Sequence, residues 1–118
     1  MLTCFETTSG KQLWATPYKR AAFTSVFGLG PRATPSISDN RIFTFGVTGI
    51  LSSFNLADGK INWQVDTLTK FKAANLYFGS SCSPLLIDDK IVVEVGGKGA
   101  SIVAFNQKDG STAWQTLD

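Results

Sequence analysis

The fold of this chain is decided by a ten-residue stretch, Phe54-Asn55-Leu56-Ala57-Asp58-Gly59-Lys60-Ile61-Asn62-Trp63. Its order is Phe, four residues, Gly, three residues and Trp, and the same order occurs twice more in the chain. The other copies are Phe5-Glu6-Thr7-Thr8-Ser9-Gly10-Lys11-Gln12-Leu13-Trp14 and Phe105-Asn106-Gln107-Lys108-Asp109-Gly110-Ser111-Thr112-Ala113-Trp114. Three copies in 118 residues indicate a repeat protein, because unrelated segments have no reason to share one spacing.

The repeat has a nearly constant period. Trp14, Trp63 and Trp114 stand 49 and 51 positions apart, and the Phe and Gly of each copy keep their offsets. The upstream halves also align, since residues 34–43 match residues 83–92 at an offset of 49. The extra residues of the longer period lie in or near Gly96-Gly97-Lys98-Gly99. A surface loop accepts such an insertion because its closure entropy grows slowly with length.

Each repeat is predicted to form four short strands. They span residues 35–38, 41–46, 50–56 and 60–65 in the second copy, and 83–87, 90–95, 101–106 and 111–116 in the third. Asp58-Gly59 between apolar runs indicates a hairpin, and Asp39-Asn40 suits a turn with positive φ. No long stripe of period 3.6 is present, so no substantial helix is expected. The repeated four-stranded unit favours a β-propeller blade over a β-sandwich.

The motif resembles the repeat of the quinoprotein alcohol dehydrogenase-like propellers, known as PQQ repeats. In that repeat a small or apolar residue and Asn or Asp precede a Thr/Asp-Gly-Lys turn and a Trp, as in residues 53–63 and 104–114. The resemblance implies that the three tryptophans dock between neighbouring blades. The expected fold class is all-β, with antiparallel four-stranded blades of a β-propeller in an incomplete ring. Within 1–118, the expected units are the C-terminal half of a blade at 1–16 and two blades at 33–67 and 83–118.

Two and a half units are fewer than the family closes into a ring, which is about eight blades. The expectation is therefore a natural truncation, a partial gene model or a chain that assembles with others. A repeat array buries its core only against neighbouring repeats. The expected partners are the remaining propeller blades or further copies of this chain, and the sequence leaves that choice open.

The composition limits the classes of function. Histidine is absent, which excludes Ser/His/Asp and Cys/His catalysis and the commonest metal ligand. The net charge of +2 is too small, and too scattered, for a nucleic-acid surface. The apolar runs are too short for a membrane span, and the first residues lack the pattern of a secretory signal. Cys4 and Cys82 lie far apart, and whether they form a disulfide stays open.

The resemblance implies two alternative functions. PQQ repeats occur in quinone-dependent dehydrogenases and in propellers without a quinone, so the fold does not decide between them. The enzymes hold the quinone beside calcium, in many cases against two adjacent cysteines, whereas Cys4 and Cys82 are isolated. The expectation is a non-enzymatic scaffold, structural or binding a protein or ligand, without a cofactor. The alternative is a fragment of a PQQ-dependent alcohol or sugar dehydrogenase, with PQQ and calcium only in a full-length parent. The family implies a periplasmic or secreted location.

Few residues qualify as a functional site, and no catalytic, cofactor or metal set is expected. The segment 68–82 is long and rich in aromatic residues, so Lys72, Tyr77 and Phe78 are the candidate contact residues, with packing between blades as the alternative. Glu94 lies in an apolar strand, where it reaches the channel or stays exposed. The Gly-rich run 95–100 lacks the Ser/Thr of a P-loop and is predicted to be a turn. The structural residues of the repeat are Phe5, Gly10, Trp14, Phe54, Gly59, Trp63, Phe105, Gly110 and Trp114.

Overall fold

The structure, a computed structural model, describes residues 1–118 and contains ten β-strands and one short helix in three sheets. The first sheet contains β1 (Leu2–Phe5) and β2 (Gln12–Thr16). The second contains β3 (Ser36–Ser38), β4 (Arg41–Phe45), β5 (Ile50–Asn55) and β6 (Ile61–Asp66), and the helix α1 (Thr67–Lys70) follows it. The third contains β7 (Leu85–Ile87), β8 (Lys90–Gly97), β9 (Ala100–Asn106) and β10 (Thr112–Thr116).

Within each sheet, every strand pairs antiparallel with the strand that precedes or follows it in the chain. The strand orders are β3-β4-β5-β6 in the second sheet and β7-β8-β9-β10 in the third. Hairpins alone connect the strands within each sheet, which is the arrangement of a propeller blade. The predicted all-β class with four-stranded antiparallel blades is confirmed. The helix α1 has four residues, so no helix of this structure has the length and apolar character needed to cross a bilayer.

The hairpin before the last strand explains the fixed position of glycine in the repeat. Gly59 has a φ of +72° and donates its N–H to the Asn55 carbonyl at 2.9 Å. Asn55 in turn donates its own N–H to the Lys60 carbonyl at 2.8 Å. Gly10 and Gly110 close the equivalent turns at φ values of +70° and +73°. Residues that carry a side chain rarely adopt this left-handed backbone conformation, so each copy needs glycine here.

The first hairpin of each full sheet turns on an aspartate. Asp39 and Asp88 both have a φ of +51°, the left-handed region that Asp and Asn tolerate better than most residues. The sequence predicts this conformation for the Asp39-Asn40 pair, and the structure confirms it. The alignment of residues 34–43 with 83–92 is therefore matched by an equal backbone conformation at equivalent positions.

The main apolar core is formed by the second and third sheets together. Phe43 of β4 and Phe105 of β9 have no exposed surface, and the Phe105 ring packs edge-on against Phe71 with centroids 6.0 Å apart. Phe5, the counterpart of Phe105 in the first copy, is instead 56% exposed. The first sheet has only two strands, so no strand equivalent to β4 pairs with β1. The nine buried residues of the core are Phe43, Phe45, Leu51, Ile91, Val93, Val95, Ala100, Val103 and Phe105.

One tryptophan lies at each of the two junctions between sheets. The Trp14 indole donates its Nε1–H to the Leu56 carbonyl at 3.2 Å, and a Cβ atom on Gly59 would lie 2.4 Å from Trp14 Cε3. Trp63 repeats the arrangement one sheet further, with its donor 3.0 Å from a carbonyl oxygen and its ring against Gly110. The glycine of the repeat therefore serves twice, because it permits the turn and leaves room for the indole of the preceding sheet.

The longer period of the third copy extends a hairpin. Strand β8 continues through Gly97, which pairs with Ala100, and the turn is reduced to residues 98–99. The register shifts between Glu94 and Gly97, which is where the extra residues are accommodated. The strand predicted at 90–95 is therefore too short by two residues. A side chain at Gly97 would meet the Phe71 carbonyl oxygen at 2.7 Å, so the extension also needs glycine.

Candidate interaction surface

The two segments that connect the sheets, residues 17–35 and 67–84, meet at one place and are held by Arg32. The Arg32 Nε donates to the Phe78 carbonyl at 2.6 Å, which joins the two segments. Its terminal nitrogens donate to the carbonyls of Gly28 and Gly30 at 3.1 and 3.3 Å and to Ser25 Oγ at 3.3 Å. One guanidinium with several donors in a rigid plane therefore fixes both connections.

Aromatic side chains cluster where the connections meet. The rings of Phe27 and Phe78 have centroids 5.4 Å apart, and Tyr77 packs edge-on against Phe78 at 5.1 Å. Phe27 is 66% exposed and Tyr77 is 69% exposed, so the cluster faces solvent. Such a group of neighbouring exposed apolar side chains is a candidate interaction surface, because exposed apolar residues usually stand singly. We call this surface the aromatic patch, and its members are Val26, Phe27, Leu29, Leu76, Tyr77 and Phe78.

The backbone beneath the aromatic patch is fixed against the second sheet. Ser80 donates its N–H to the Val47 carbonyl at 2.9 Å, and the Asn75 side chain donates to the same oxygen at 3.2 Å. Gly79 has a φ of +76°, and a Cβ there would lie 2.2 Å from Val47 Cγ2. The segment carrying Tyr77 is therefore anchored by a close approach that only glycine allows.

The structure brings together two of the three candidate contact residues. Tyr77 and Phe78 are in ring contact, whereas Lys72 has a φ of +52° just after α1 and no hydrogen bond or ion pair joins it to either ring. The lysine that does lie against aromatic rings is Lys70, whose ammonium is 5.7 Å from the Phe71 centroid and 5.8 Å from that of Phe105. The involvement of Lys72, Tyr77 and Phe78 in binding stays a prediction.

Phe27 and Leu29 belong to the aromatic patch and Arg32 holds its backbone, although the sequence indicates a connecting segment there. No repeat or periodic pattern singles them out, and the Arg32 contact with Phe78 spans 46 positions. The available signal is an aromatic residue and an arginine, Phe27 and Arg32, on either side of Gly28 and Gly30. That signal becomes meaningful only once the two connections are known to be neighbours.

An apolar cavity of about 370 Å³ lies next to the aromatic patch. Cys82 lines it, and burial raises the pKa of this thiol above its ordinary value. The Glu94 N–H donates to Cys82 Sγ at 3.2 Å, while the Glu94 side chain is exposed on the side of β8 opposite the core. Cys82 and Cys4 are both free thiols. The cavity thus combines an apolar wall with one carboxylate, that of Glu94. Whether Glu94 faces a central channel stays a prediction.

The aspartates of the turns stabilise those turns. The Asp109 carboxylate accepts hydrogen bonds from the Ser111 side chain at 2.6 Å and the Ser111 N–H at 2.9 Å, and these bonds lower the pKa of Asp109. Asp58 accepts from the Lys60 N–H at 3.0 Å, which lowers its pKa in the same way. No three Asp, Glu or Cys side chains converge as a set that could hold a metal ion. The predicted turn role of these residues therefore matches their contacts.

Comparison with known proteins identifies the family. The sequence profile described as "Outer membrane protein assembly factor BamB" matches residues 1–118. The proteins of that name from Escherichia coli (strain K12) and Salmonella typhimurium are 30% identical over 87 residues and 34% identical over 86 residues. Each alignment covers 70% of this chain and 21% of the relative, so the chain spans about a fifth of the length of the curated relatives it matches.

Solved structures agree on the fold. BamB from Moraxella catarrhalis superposes with a TM-score of 0.54 at 21% identity, over 74% of this chain and 24% of that protein. Quinohemoprotein alcohol dehydrogenase from Comamonas testosteroni superposes with a TM-score of 0.57 at 17% identity, over 71% of this chain and 13% of that protein. At these identities the likeness concerns the fold alone. The profile match over the whole length, together with three copies of the repeat, shows that this chain belongs to the BamB family of PQQ-repeat β-propellers.

Proposed function

We propose that this chain is part of a non-enzymatic propeller scaffold that binds a protein partner through the aromatic patch. The observation that carries the proposal is that rings more than half exposed are fixed in place by Arg32 and by the Gly79 turn. The name of the curated relatives, outer membrane protein assembly factor, supports a role in contact with other proteins.

The composition of the aromatic patch fits a protein partner. Tyrosine, phenylalanine and arginine are enriched in protein interfaces, where a few such residues supply most of the binding energy. An ordered aromatic surface loses little conformational freedom on binding, because its side chains already occupy their positions. The Phe27, Tyr77 and Phe78 rings contact one another in a chain, so their mutual packing holds them before any partner arrives.

Photo-crosslinking in the native host tests the proposal. A photoreactive phenylalanine analogue replaces Tyr77 in one strain and Lys60 in another, since the Lys60 side chain is also exposed, in the hairpin between β5 and β6. The expected result is a discrete protein adduct at position 77 that disappears in a Phe27→Ala background, and no adduct at position 60. Equal labelling at both positions, or none at position 77, contradicts the proposal.

The alternative, a fragment of a quinone-dependent dehydrogenase, is favoured by the fold shared with the quinohemoprotein alcohol dehydrogenase. The residues of this chain do not form a calcium site, and its two cysteines are not adjacent. On this alternative the ligands would come from other blades of a parent protein. Titration of that parent with PQQ and calcium distinguishes the two alternatives. A saturable quinone absorbance would support the enzyme and contradict the non-enzymatic scaffold.

We further propose that the chain works outside the cytoplasm, in the periplasm or secreted. The support is the description of the matching family, "Outer membrane protein assembly factor BamB". Fractionation of the native host with antibodies against the aromatic patch provides the test. Signal confined to the cytoplasmic fraction would contradict this location, whereas signal in the extracytoplasmic fraction is the expected result.

A further inference from the structure

The two connections that carry the aromatic patch have charges of one sign. Residues 17–35 and 67–84 contain none of the nine acidic residues of the chain. Their basic residues are Lys19, Arg20 and Arg32 in the first connection and Lys70 and Lys72 in the second. Each connection runs between two sheets that the structure describes, so this excess of positive charge belongs to the middle of the chain.

Three of these cations have no acidic partner and point into solvent. Arg32 directs its donors to the carbonyls and the hydroxyl described above, and Lys70 lies against two aromatic rings. Lys19, Arg20 and Lys72 are exposed and form no ion pair, because both ion pairs of the chain lie in hairpins of the second and third sheets. We call Lys19, Arg20 and Lys72 the flanking cations.

The flanking cations of the first connection lie close to the aromatic patch. Phe23 Cζ is 3.0 Å from the position that a Cβ on Gly79 would occupy, and Gly79 directly follows Phe78. Arg20 precedes Phe23 by three residues and Lys19 by four. An extended chain covers about 3.5 Å per residue, so their Cα atoms are at most about 11 and 14 Å from that of Phe23.

Lys72 approaches the same patch from the second connection. It precedes Asn75 by three residues, so their Cα atoms are also at most about 11 Å apart. The Asn75 side chain donates to the Val47 carbonyl at 3.2 Å, beside the Ser80 N–H that shares this acceptor. These separations are comparable with the Debye length of about 8 Å at physiological ionic strength. The flanking cations therefore act on whatever occupies the patch.

We propose that the aromatic patch binds an acidic segment of its protein partner. Apolar side chains of that segment pack on the exposed rings, and its carboxylates face the flanking cations. This inference rests on the proposed function, and it adds the chemical character of the partner. Cations at the border of an apolar contact steer an oppositely charged partner and fix its orientation. An exposed ion pair contributes little alone, so the effect belongs to the three cations together.

The number of free cations favours a protein over a lipid surface. Anionic membranes are recognised by clusters of about four to eight basic residues. The patch is bordered by the three flanking cations alone, because the other two basic side chains of the connections are engaged within the chain. A short acidic segment presents carboxylates at the spacing of its own side chains, so few cations are enough to select it.

Photo-crosslinking from position 77 in the native host tests the charge of the partner. One strain lacks the flanking cations through Lys19→Gln, Arg20→Gln and Lys72→Gln. The control strain loses the same charge at three exposed lysines of the hairpins through Lys11→Gln, Lys60→Gln and Lys108→Gln. The adduct yield is expected to fall about threefold or more in the first strain and to stay unchanged in the control strain.

Two further measurements separate charge from damage to the fold. A third strain keeps every charge through Lys19→Arg, Arg20→Lys and Lys72→Arg, and its adduct yield is expected to equal that of the wild type. Mass spectrometry of the wild-type adduct locates the attachment point on the partner. The residues around that point are expected to carry a net negative charge.

The failure of this inference differs from the failure of the proposed function. If position 77 gives no protein adduct at all, the proposed function itself is contradicted. If the adduct forms equally in both glutamine strains, or on a segment without net negative charge, the acidic partner is overturned while protein binding stands. Cosedimentation of the full-length host protein with phosphatidylglycerol vesicles gives the remaining check. Binding to them that the first strain loses would assign the flanking cations to a lipid surface and overturn the inference.

Discussion

The substitution Gly59→Ala tests whether the glycine of the repeat is required by its turn alone or also by the tryptophan it receives. Gly10→Ala provides the matched control. Both glycines close the same hairpin with nearly equal φ values of +72° and +70°. They differ in their surroundings, since a Cβ on Gly59 would lie 2.4 Å from the Trp14 ring and a Cβ on Gly10 would meet nothing within 4 Å.

The expected loss of stability has two parts. Forcing alanine into the left-handed region costs about 1–2 kcal/mol at either position. At Gly59 the new methyl group must also displace the indole, and such overpacking typically costs about 1–3 kcal/mol. The displacement weakens the bond from Trp14 to the Leu56 carbonyl, which contributes about 1 kcal/mol. Together these terms predict a loss of about 3–6 kcal/mol for Gly59→Ala, against the backbone term alone for Gly10→Ala.

Urea unfolding followed by tryptophan fluorescence measures both losses. The urea dependence of the free energy should be unchanged, so the transition midpoint reports stability. Equal losses for the two variants would refute the reasoning, because they would show that the indole exerts no constraint on Gly59.

Three further predictions concern single side chains. The pKa of Asp109 is lowered from 3.8 in the folded state, chiefly by the hydrogen bond from the Ser111 hydroxyl. The stabilisation from the ionised carboxylate is therefore present above pH 3.8 and is lost as the pH falls through the lower pKa of the folded state. The melting temperature should accordingly fall less in acid for Asp109→Asn than for wild type. Burial raises the pKa of Cys82, so in a Cys4→Ser background iodoacetamide should modify it slowly, and a rate unchanged by denaturant would contradict the role of burial. Arg32→Lys removes the planar fork that joins the two connections, so hydrogen exchange should accelerate in residues 76–80 and not in β9; Arg20→Lys, at an exposed residue bonded only to the Ala21 carbonyl, is the control.

The repeated parts of the fold could be predicted from the sequence because their determinants are local. Gly59 and Asp39 fix turns through their own backbone preferences, and alternation within ten residues determines which side chains face the core. The strand ends agree with the structure to within about two residues, which is the usual uncertainty of such boundaries. The limits of the proposed units, 1–16, 33–67 and 83–118, remain a prediction.

The connections could not be predicted in the same way because their determinants are distant in sequence. The Arg32 contact with Phe78 spans 46 positions, and the close approach of Gly79 to Val47 spans the β5-β6 hairpin and the helix α1. Neither contact leaves a periodic pattern in the chain. The length and aromatic content of residues 68–82 therefore indicate Lys72, Tyr77 and Phe78 as candidates, whereas the contact of Phe27 with Phe78 is seen only in the tertiary structure.

The packing of each tryptophan on the turn of the next sheet has a consequence for synthesis. The acceptor for the Trp14 indole lies 42 residues downstream, and that for Trp63 lies 44 residues downstream. On the ribosome a sheet can pair its strands as soon as they emerge, but its outer tryptophan stays hydrated until most of another repeat has been made. The packing of each sheet is therefore completed only when the next repeat has been synthesised. A pause in translation between repeats would leave one indole exposed and available to chaperones.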